Sequence, residues 1–294
     1  MAKGRELKGR IRTFESMRKI TRTMEMVATS KLKRAQDRVV GARPYARALT
    51  ETIADLYSPA LAEDFPLLRQ PKPPAENPAG SRAAVLLLTS NRGLAGAFNS
   101  NLIREARALL ARLEKEGFQV ELHVVGRKGA GYFRYIGREL ASARTDISDR
   151  PTAENAAELV DGLMADFVAK RLDAVYVVYA KYNSPLSTPP VSERVLPVTP
   201  PERAAGGVQR DYLLFPSAEA ILTELLPLSV RNAVYRALVE TAAGEQGARR
   251  TAMKSATDNA GEMLNTLRRT YNRARQAQIT QEIAEIVGGA EALG

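Results

Sequence analysis

Apolar residues fall at Leu7, Ile11, Phe14, Met17, Ile20, Met24 and Val27, and then at Leu32, Ala35 and Val39. The steps are mostly three or four and average about 3.5, nearer the heptad repeat than the 3.6 period of a straight helix. The spacing predicts one long helix over residues 2–57 that supercoils left-handedly with a partner. Pro44 removes a backbone donor, so a kink is expected there. At ~1.5 Å per residue the helix is ~80 Å long, more than a globular domain ordinarily needs.

Residues 58–82 carry Pro59, Pro66, Pro71, Pro73, Pro74 and Pro78, which predicts a linker without regular structure. The segment 83–216 then alternates. Residues 83–89 read as a buried strand, 100–116 as a helix, 120–125 as a strand, 128–136 as a short helix, 152–170 as a helix and 174–182 as a strand. Residues 191–198 and 212–215 read as further strands. Strands alternating with helices predict a Rossmann-like open α/β domain with a mostly parallel sheet.

From 217 to 294 the helical pattern returns, and Pro227 suits the first turn of a helix. The expected core stripe is Met253, Ala256, Ala260, Met263, Leu267, Tyr271, Ala274 and Ala277, whose small residues let a partner approach closely. The simplest pairing of the two chain ends is an antiparallel two-helix coiled coil. The fold class is therefore α/β: a coiled coil of residues 1–57 and 217–294, a linker at 58–82 and a central domain at 83–216.

Composition removes several functions. There is no Cys, which excludes disulfides, thiolate metal sites and a cysteine nucleophile, and the single His123 leaves no multi-histidine metal site. No apolar run is long enough to span a membrane. The charged start, MAKGRELKGR, lacks the apolar core of a secretory signal, so a cytoplasmic chain is expected. Residues 1–56 hold 14 Lys and Arg against 6 Asp and Glu, which places most of the net +10 on the first helix and predicts an acidic partner.

Candidate chemistry is sparse. The turn TSNRGLAGAFNSN (89–101) follows a strand and opens a helix, where Gly93 and Gly96 would let backbone N–H groups meet an anion. It matches neither standard phosphate-binding fingerprint, and nor does VVGRKGAGYF with Gly126, Gly129 and Gly131. Tight turns are the plainer reading of both. His123 lies on a predicted strand and reads as structural. Asp146, Asp149 and Asp161 lack metal-ligand spacing and read as solvated surface. No catalytic residue, cofactor site or metal site is expected. Two basic clusters stand out: Arg10, Arg12, Arg18, Lys19, Arg22, Lys31, Lys33, Arg34 and Arg38 on the first helix, and Arg268, Arg269, Arg273 and Arg275 with Gln276 near the end.

The segment KITRTMEMVATSKLKRA (19–35) resembles the N-terminal helix of F-type ATP synthase gamma subunits. TSNRGLAGAFN (89–99) resembles that family's turn after its first strand, and AMKSATDNAGEM (252–263) and RQAQITQEIAEIVGGAEA (275–292) resemble its C-terminal helix. The terminal signature of the family is met by Ile279, Thr280, Glu282, Glu285, Gly289 and Ala290. The resemblance implies a non-catalytic rotor shaft, one copy per complex, turning inside a hexamer of alpha and beta subunits. It implies a globular domain joined to the epsilon subunit and the membrane c-ring, with proton flow driving rotation. It further implies that Lys19, Arg22 and Met24 lie near an acidic lever of beta and that Arg275 and Gln276 hydrogen-bond a beta catch loop, with the C-terminus in an apolar sleeve. The absence of Cys excludes the redox control of plastid members, and the resemblance favours a bacterial complex on the cytoplasmic face of the plasma membrane. Two rival readings are a nucleic-acid or anionic-membrane adaptor using the basic helix, against which stands the lack of interleaved aromatics, and a nucleotide-using enzyme in the central domain.

Overall fold

The structure, a computed structural model, describes residues 2–57, 65–71, 81–199, 215 and 217–291. They divide into two units, Ser30–Ala248 and the pair Met1–Thr29 with Arg249–Gly294.

The larger unit is built on a five-stranded sheet. Strands β1 (Ser81–Leu88), β2 (Phe118–Val125), β3 (Ser142–Arg144), β4 (Ala174–Ala180) and β5 (Pro190–Leu196) lie in the order β3-β2-β1-β4-β5. All neighbours are parallel except β5, which runs antiparallel to β4 at one edge. The apolar runs of β1 and β4 follow from burial on both faces, as parallel sheets require. Ala84, Leu86, Leu88, Val175, Val177 and Tyr179 point to one core, where helix α4 (Ala153–Val168) brings Val160, Leu163 and Phe167. Ala83, Val85, Leu87, Ala174 and Val178 point to the other, covered by α2 (Phe98–Lys115) and α3 (Arg127–Tyr135). The N-terminus of α4 is fixed by a capping box between Thr152 and Asn155.

Two long helices run from one chain end and to the other. Helix α1 spans Ala2–Leu56 and α5 spans Ala218–Glu291. Neither breaks at its internal proline. The helix continues past Pro44 because Leu49, Ile53 and Leu56 beyond it are buried in the first core. Pro227 is not at the start of α5 but well inside it, between the buried Leu226 and Val230. Burial of a whole apolar row outweighs the ~3 kcal/mol that an internal proline costs.

Two further expectations need correction. Within the proline-rich segment, Pro66–Leu68 forms a 3-10 turn, and Phe65, Leu67 and Leu68 enter the first core. Proline at the first helical position suits that turn, because its missing N–H would be unbonded there. Pro59, Pro73, Pro74 and Pro78 lie outside the described residues, as do Tyr212–Leu214 of the strand expected at 212–215; Phe215 itself lies in a bend. Strand β3, with only three residues, was not foreseen.

In the smaller unit α1 and α5 pair antiparallel. The Thr257 hydroxyl donates to the Thr21 hydroxyl at 2.8 Å, Gly261 faces Arg18, and Arg268 Nη2 bonds Glu15 Oε1 at 2.5 Å. Within this unit the seam on α1 runs Leu7, Ile11, Phe14, Thr21 and Ala28, in steps of three, four or seven, with Met24 and Glu25 half-buried between the last two. The expected stripe is therefore one residue out of register at two places. Ile20 and Val27 are 57% and 52% exposed while Thr21 and Ala28 take the seam, and Met17 is also exposed. On α5 the seam is Met253, Thr257, Ala260, Leu264, Leu267, Tyr271, Ala274 and Gln278, with Ala256 half-buried beside it, while Met263 and Ala277 of the expected list are exposed.

Two measurements check this packing. Leu264 is 2% exposed and Met263 47%, so Leu264→Ala should cost about 2–5 kcal/mol in urea unfolding and Met263→Ala under about 1 kcal/mol. Gly126 has φ +98°, and an added Cβ would lie 2.2 Å from the Thr89 carbonyl oxygen. Gly126→Ala should therefore lower stability by at least ~2 kcal/mol in the same assay.

Candidate functional site

In an open parallel sheet, ligands bind beyond the carboxyl ends of the strands where the strand order reverses. Here that place lies between β1 and β4. The turn after β1 sits there, but it spends its polar groups on itself. Thr89 Oγ1 donates to the Val125 carbonyl at 2.8 Å and accepts from Gly129 N at 3.0 Å. Asn99 Oδ1 accepts from Ser90 N at 3.0 Å. Asn91 donates to the Thr145 and Ile147 carbonyls and accepts from Arg127 N, each at 3.0 Å. Leu94 and Gly96 adopt positive φ to close the loop.

The space beyond is filled by α5. Thr241 Oγ1 accepts from Ala180 N at 3.3 Å, and Glu240 Oε2 accepts from Tyr182 N at 2.8 Å. Gly244 packs so closely that a Cβ there would lie 3.2 Å from both Ala180 and Phe98. Gly126 and Gly129 are likewise close-approach glycines, pressed on Thr89. Gly126 and Gly129 thus serve packing, whereas a Cβ on Gly131 would meet nothing within 4 Å and one on Gly93 only the end of the Lys128 side chain.

The remaining candidates are also structural. His123 bridges β2 and β3 through its Nδ1 and the Ser142 hydroxyl at 2.8 Å. Burial pulls its pKa below the ordinary value, against the opposing charge of Glu121, so the ring is neutral at pH 7. The three aspartates are not merely solvated, as expected, but ion-paired. Hydrogen bonds from Arg144 hold Asp146 down at about 2. Against a partial burial that pushes its pKa up, Lys31 at 2.6 Å keeps the Asp149 carboxyl below its usual range. Asp161 takes both prongs of Arg231 at 2.7 and 2.9 Å. Among the described residues no group of three or more His, Cys, Asp or Glu is placed to hold a metal ion.

What remains outward-facing is the surface of the paired helices. Several basic residues of α1 are engaged within the chain: Arg10 with Glu6, Lys31 with Asp149, Lys33 with Asp37, and Arg38 on the Asp149 carbonyl. Arg12, Lys19 and Arg22 are exposed, and Met24 beside them is half-buried. On α5, Arg268 is tied to Glu15, whereas Arg273, Arg275 and Gln276 are exposed. The two predicted contact groups do not meet. By the antiparallel register Arg275 is level with the first turns of α1, about 25 Å along the axis from Arg22.

The terminal signature residues mostly support their own helix. Thr280 donates to the Gln276 carbonyl, Gln278 to Glu282, and Gln281 to Glu285. Ile279 is 44% exposed, and with Ile283, Ile286 and Val287 it forms an exposed apolar row where the register has passed the start of α1. Gly289 and Ala290 lie in the last turns of α5, and their side chains are outside the described residues. The exposed residues Met17, Ile20 and Val27 were missed as surface positions, because the sequence offers two adjacent apolar rows and only the heptad spacing of Thr21 and Ala28 separates them.

A family model described as ATP synthase matches residues 3–293. The chain is 67% identical over its whole length to the ATP synthase gamma chain of Gemmatimonas aurantiaca, covering 99% of that protein. It is 44% identical to the ATP synthase gamma chain of Frankia casuarinae, over 98% of this chain and 97% of the relative. Among solved structures, a chain of the Euglena gracilis mitochondrial ATP synthase in its third rotational state matches with a TM-score of 0.66 at 19% identity, over 99% of this chain and 95% of that one. A rotor chain of the same organism's enzyme matches at 0.64 and 18% identity, over 95% of this chain and 99% of that one.

Because α5 fills the switch-point crevice, Mg-ATP at ~1 mM should leave the melting midpoint of the chain unchanged in a thermal-shift assay. A rise of several degrees, the size expected when ligand exceeds its Kd about 100-fold, would show a nucleotide site that the packing argues against.

Proposed function

We infer the work of this chain from the family to which it belongs, the gamma subunits of F-type ATP synthases, in which it is the central shaft. It is a subunit of a membrane-bound complex, and among the described residues no helix is long and apolar enough to cross a membrane. Residues 1–57 and 217–294 form the shaft, and residues 83–216 form the domain that takes up torque from the membrane side. The chain performs no chemistry itself. It turns within a ring of alpha and beta subunits and imposes a different conformation on each catalytic beta site.

The partners follow the chemistry of the surface. Lys19 and Arg22, exposed beside Met24, face an acidic segment of beta, where charge complementarity sets register more than affinity. Arg275 offers a planar fork to carboxylate or carbonyl groups, and Gln276 offers an amide beside it; both meet a loop of beta. The isoleucine row from Ile279 onward lies in an apolar sleeve at the head of the ring. The central domain binds the epsilon subunit and the c-ring, one copy of this chain serves each complex, and the whole sits on the cytoplasmic face of a bacterial plasma membrane.

The observation that carries this reading is the division of labour on the surface. The polar groups of the sheet's crevice are satisfied internally, while the helix pair leaves cations and two apolar rows unmatched along its outside. The energetics fit a mechanical element. One charge crossing 100 mV delivers ~2.3 kcal/mol, less than one ATP requires, so work from several ions has to accumulate in a common part. Catalysis is then a population shift imposed on sites in other subunits.

The test is ATP hydrolysis by matching alpha and beta subunits with and without this chain. A stable complex holding one copy and sustaining turnover is expected, and Arg275→Ala or Gln276→Ala should each lower turnover about fivefold, roughly 1 kcal/mol of interaction. Absence of any complex, with hydrolysis unchanged, would overturn the assignment.

A further inference from the structure

The shaft reading leaves open how force passes between the sheet and the two long helices. The larger unit holds residues 30–56 of α1 and 218–248 of α5 as well as the sheet. One residue touches all three. Tyr182, two positions past the end of β4, is buried in a small cluster with Leu32, Ala35 and Val39 of α1 and Val239 and Ala243 of α5. Its backbone N–H donates to Glu240 Oε2 on α5 at 2.8 Å. Its hydroxyl accepts from Gln36 Nε2 on α1 at 2.5 Å.

Glu240 is a buried carboxylate, and buried charge persists only where it is paired. Its second oxygen faces Arg236 Nε at 3.9 Å. Arg236 Nη2 reaches both oxygens of Glu193 on β5, at 3.1 and 3.3 Å, and Glu193 accepts from the Tyr179 hydroxyl on β4 at 2.8 Å. The network therefore ties α5 to the last two strands of the sheet. Packing closes the same place: a Cβ on Gly247 would lie 3.0 Å from the Pro185 carbonyl of the β4–β5 loop. Apolar contacts resist separation but give little resistance to sliding, since they have no direction. Hydrogen bonds have one, so the charge-assisted Glu240 bond and the neutral Gln36 bond resist shear, together with the Arg231–Asp161 pair on α5 and the Lys31–Asp149 pair on α1.

We propose that Tyr182 is the mechanical coupling point of this chain, held by Glu240 on α5 and Gln36 on α1, and that these two side chains act as positioning residues that pass torque from the sheet to the shaft. The inference rests on the shaft reading. Without the Glu240 carboxylate the buried Tyr182 N–H has no acceptor, and the helix yields under load before it turns its partners.

The experiment uses the complete membrane complex in inverted vesicles, with ATP hydrolysis and ATP-driven proton uptake measured together as the opposing proton gradient is raised. Glu240→Ala should lower the ratio of protons moved to ATP hydrolysed at least about tenfold at high load, the size expected from losing one hydrogen bond to a charged group. Glu240→Gln keeps an acceptor for Tyr182 N–H and should restore most of the ratio. Tyr182→Phe and Gln36→Ala, which each remove only the hydroxyl bond, should lower the ratio to a lesser extent, and they carry the test if Glu240→Ala does not assemble. A ratio unchanged at every load in the assembled variants overturns the proposal. So does a parallel fall of hydrolysis and transport at constant ratio, which marks a purely structural role. Failure of the unsubstituted chain to assemble or pump would instead defeat the shaft reading itself.

Discussion

Everything in this structure depends on one helix meeting two unlike surroundings. Along residues 218–248 α5 is buried on most of its circumference, with Leu222, Leu226, Val230, Val234, Ala237 and Leu238 in the core against the sheet. Along residues 249–291 it shows only a narrow heptad seam to α1. The change is written in side-chain size. The buried stretch ends in Ala242, Ala243, Gly244 and Gly247, which let the β4–β5 loop and α2 approach its backbone. The seam then alternates larger and smaller residues, Met253, Thr257, Ala260 and Leu264, to fit a single partner helix.

That arrangement places a helix at the switch point of a doubly wound sheet. The crevice where such folds commonly bind nucleotides is occupied by α5, whose Thr241 and Glu240 take the N–H groups of Ala180 and Tyr182. An anion there would have competed for the same donors. The fold has kept the geometry of a binding sheet and spent the binding edge on holding a helix, which shows why fold by itself does not assign function.

Much of this was legible beforehand. The apolar runs of β1 and β4 announced strands buried on both faces, and steps of three and four announced paired helices. The failures have physical causes. Ile20 and Val27 look like seam residues because they are large and apolar, yet the seam takes Thr21 and Ala28, since close helix approach favours small side chains and a hydroxyl pair satisfies itself. Pro227 looks like the first turn of a helix, but a local cost is overridden when burial continues on both sides. Strand β3 is too short to carry a period, and it exists because β2 offers an unpaired edge at His123–Val125. Asp149 and Asp161 pair with cations 118 and 70 residues away, which spacing does not reveal, whereas Asp146 pairs with Arg144 two residues before it. Of the residues expected at the surface of the helix pair, Arg22, Arg275 and Gln276 are outward-facing, while Glu282 and Glu285 bond within α5.

The hydroxyl pair of Thr21 and Thr257 joins residues 236 apart in the chain, and the Glu15–Arg268 bond joins residues 253 apart. A ribosome releases the first of each pair long before the second exists. The strands of the sheet, residues 81–196, all emerge before α5, and their core closes once residues 222–238 of α5 follow. The opening helix must wait, basic and unpaired, until the last residues emerge. Closing so long a loop is slow on its own, but a folded sheet that already holds residues 30–56 of α1 shortens the search to a zipper closing from its fixed end. In the order of synthesis the central unit, residues 30–248, is finished first, and the pair of chain ends is completed last.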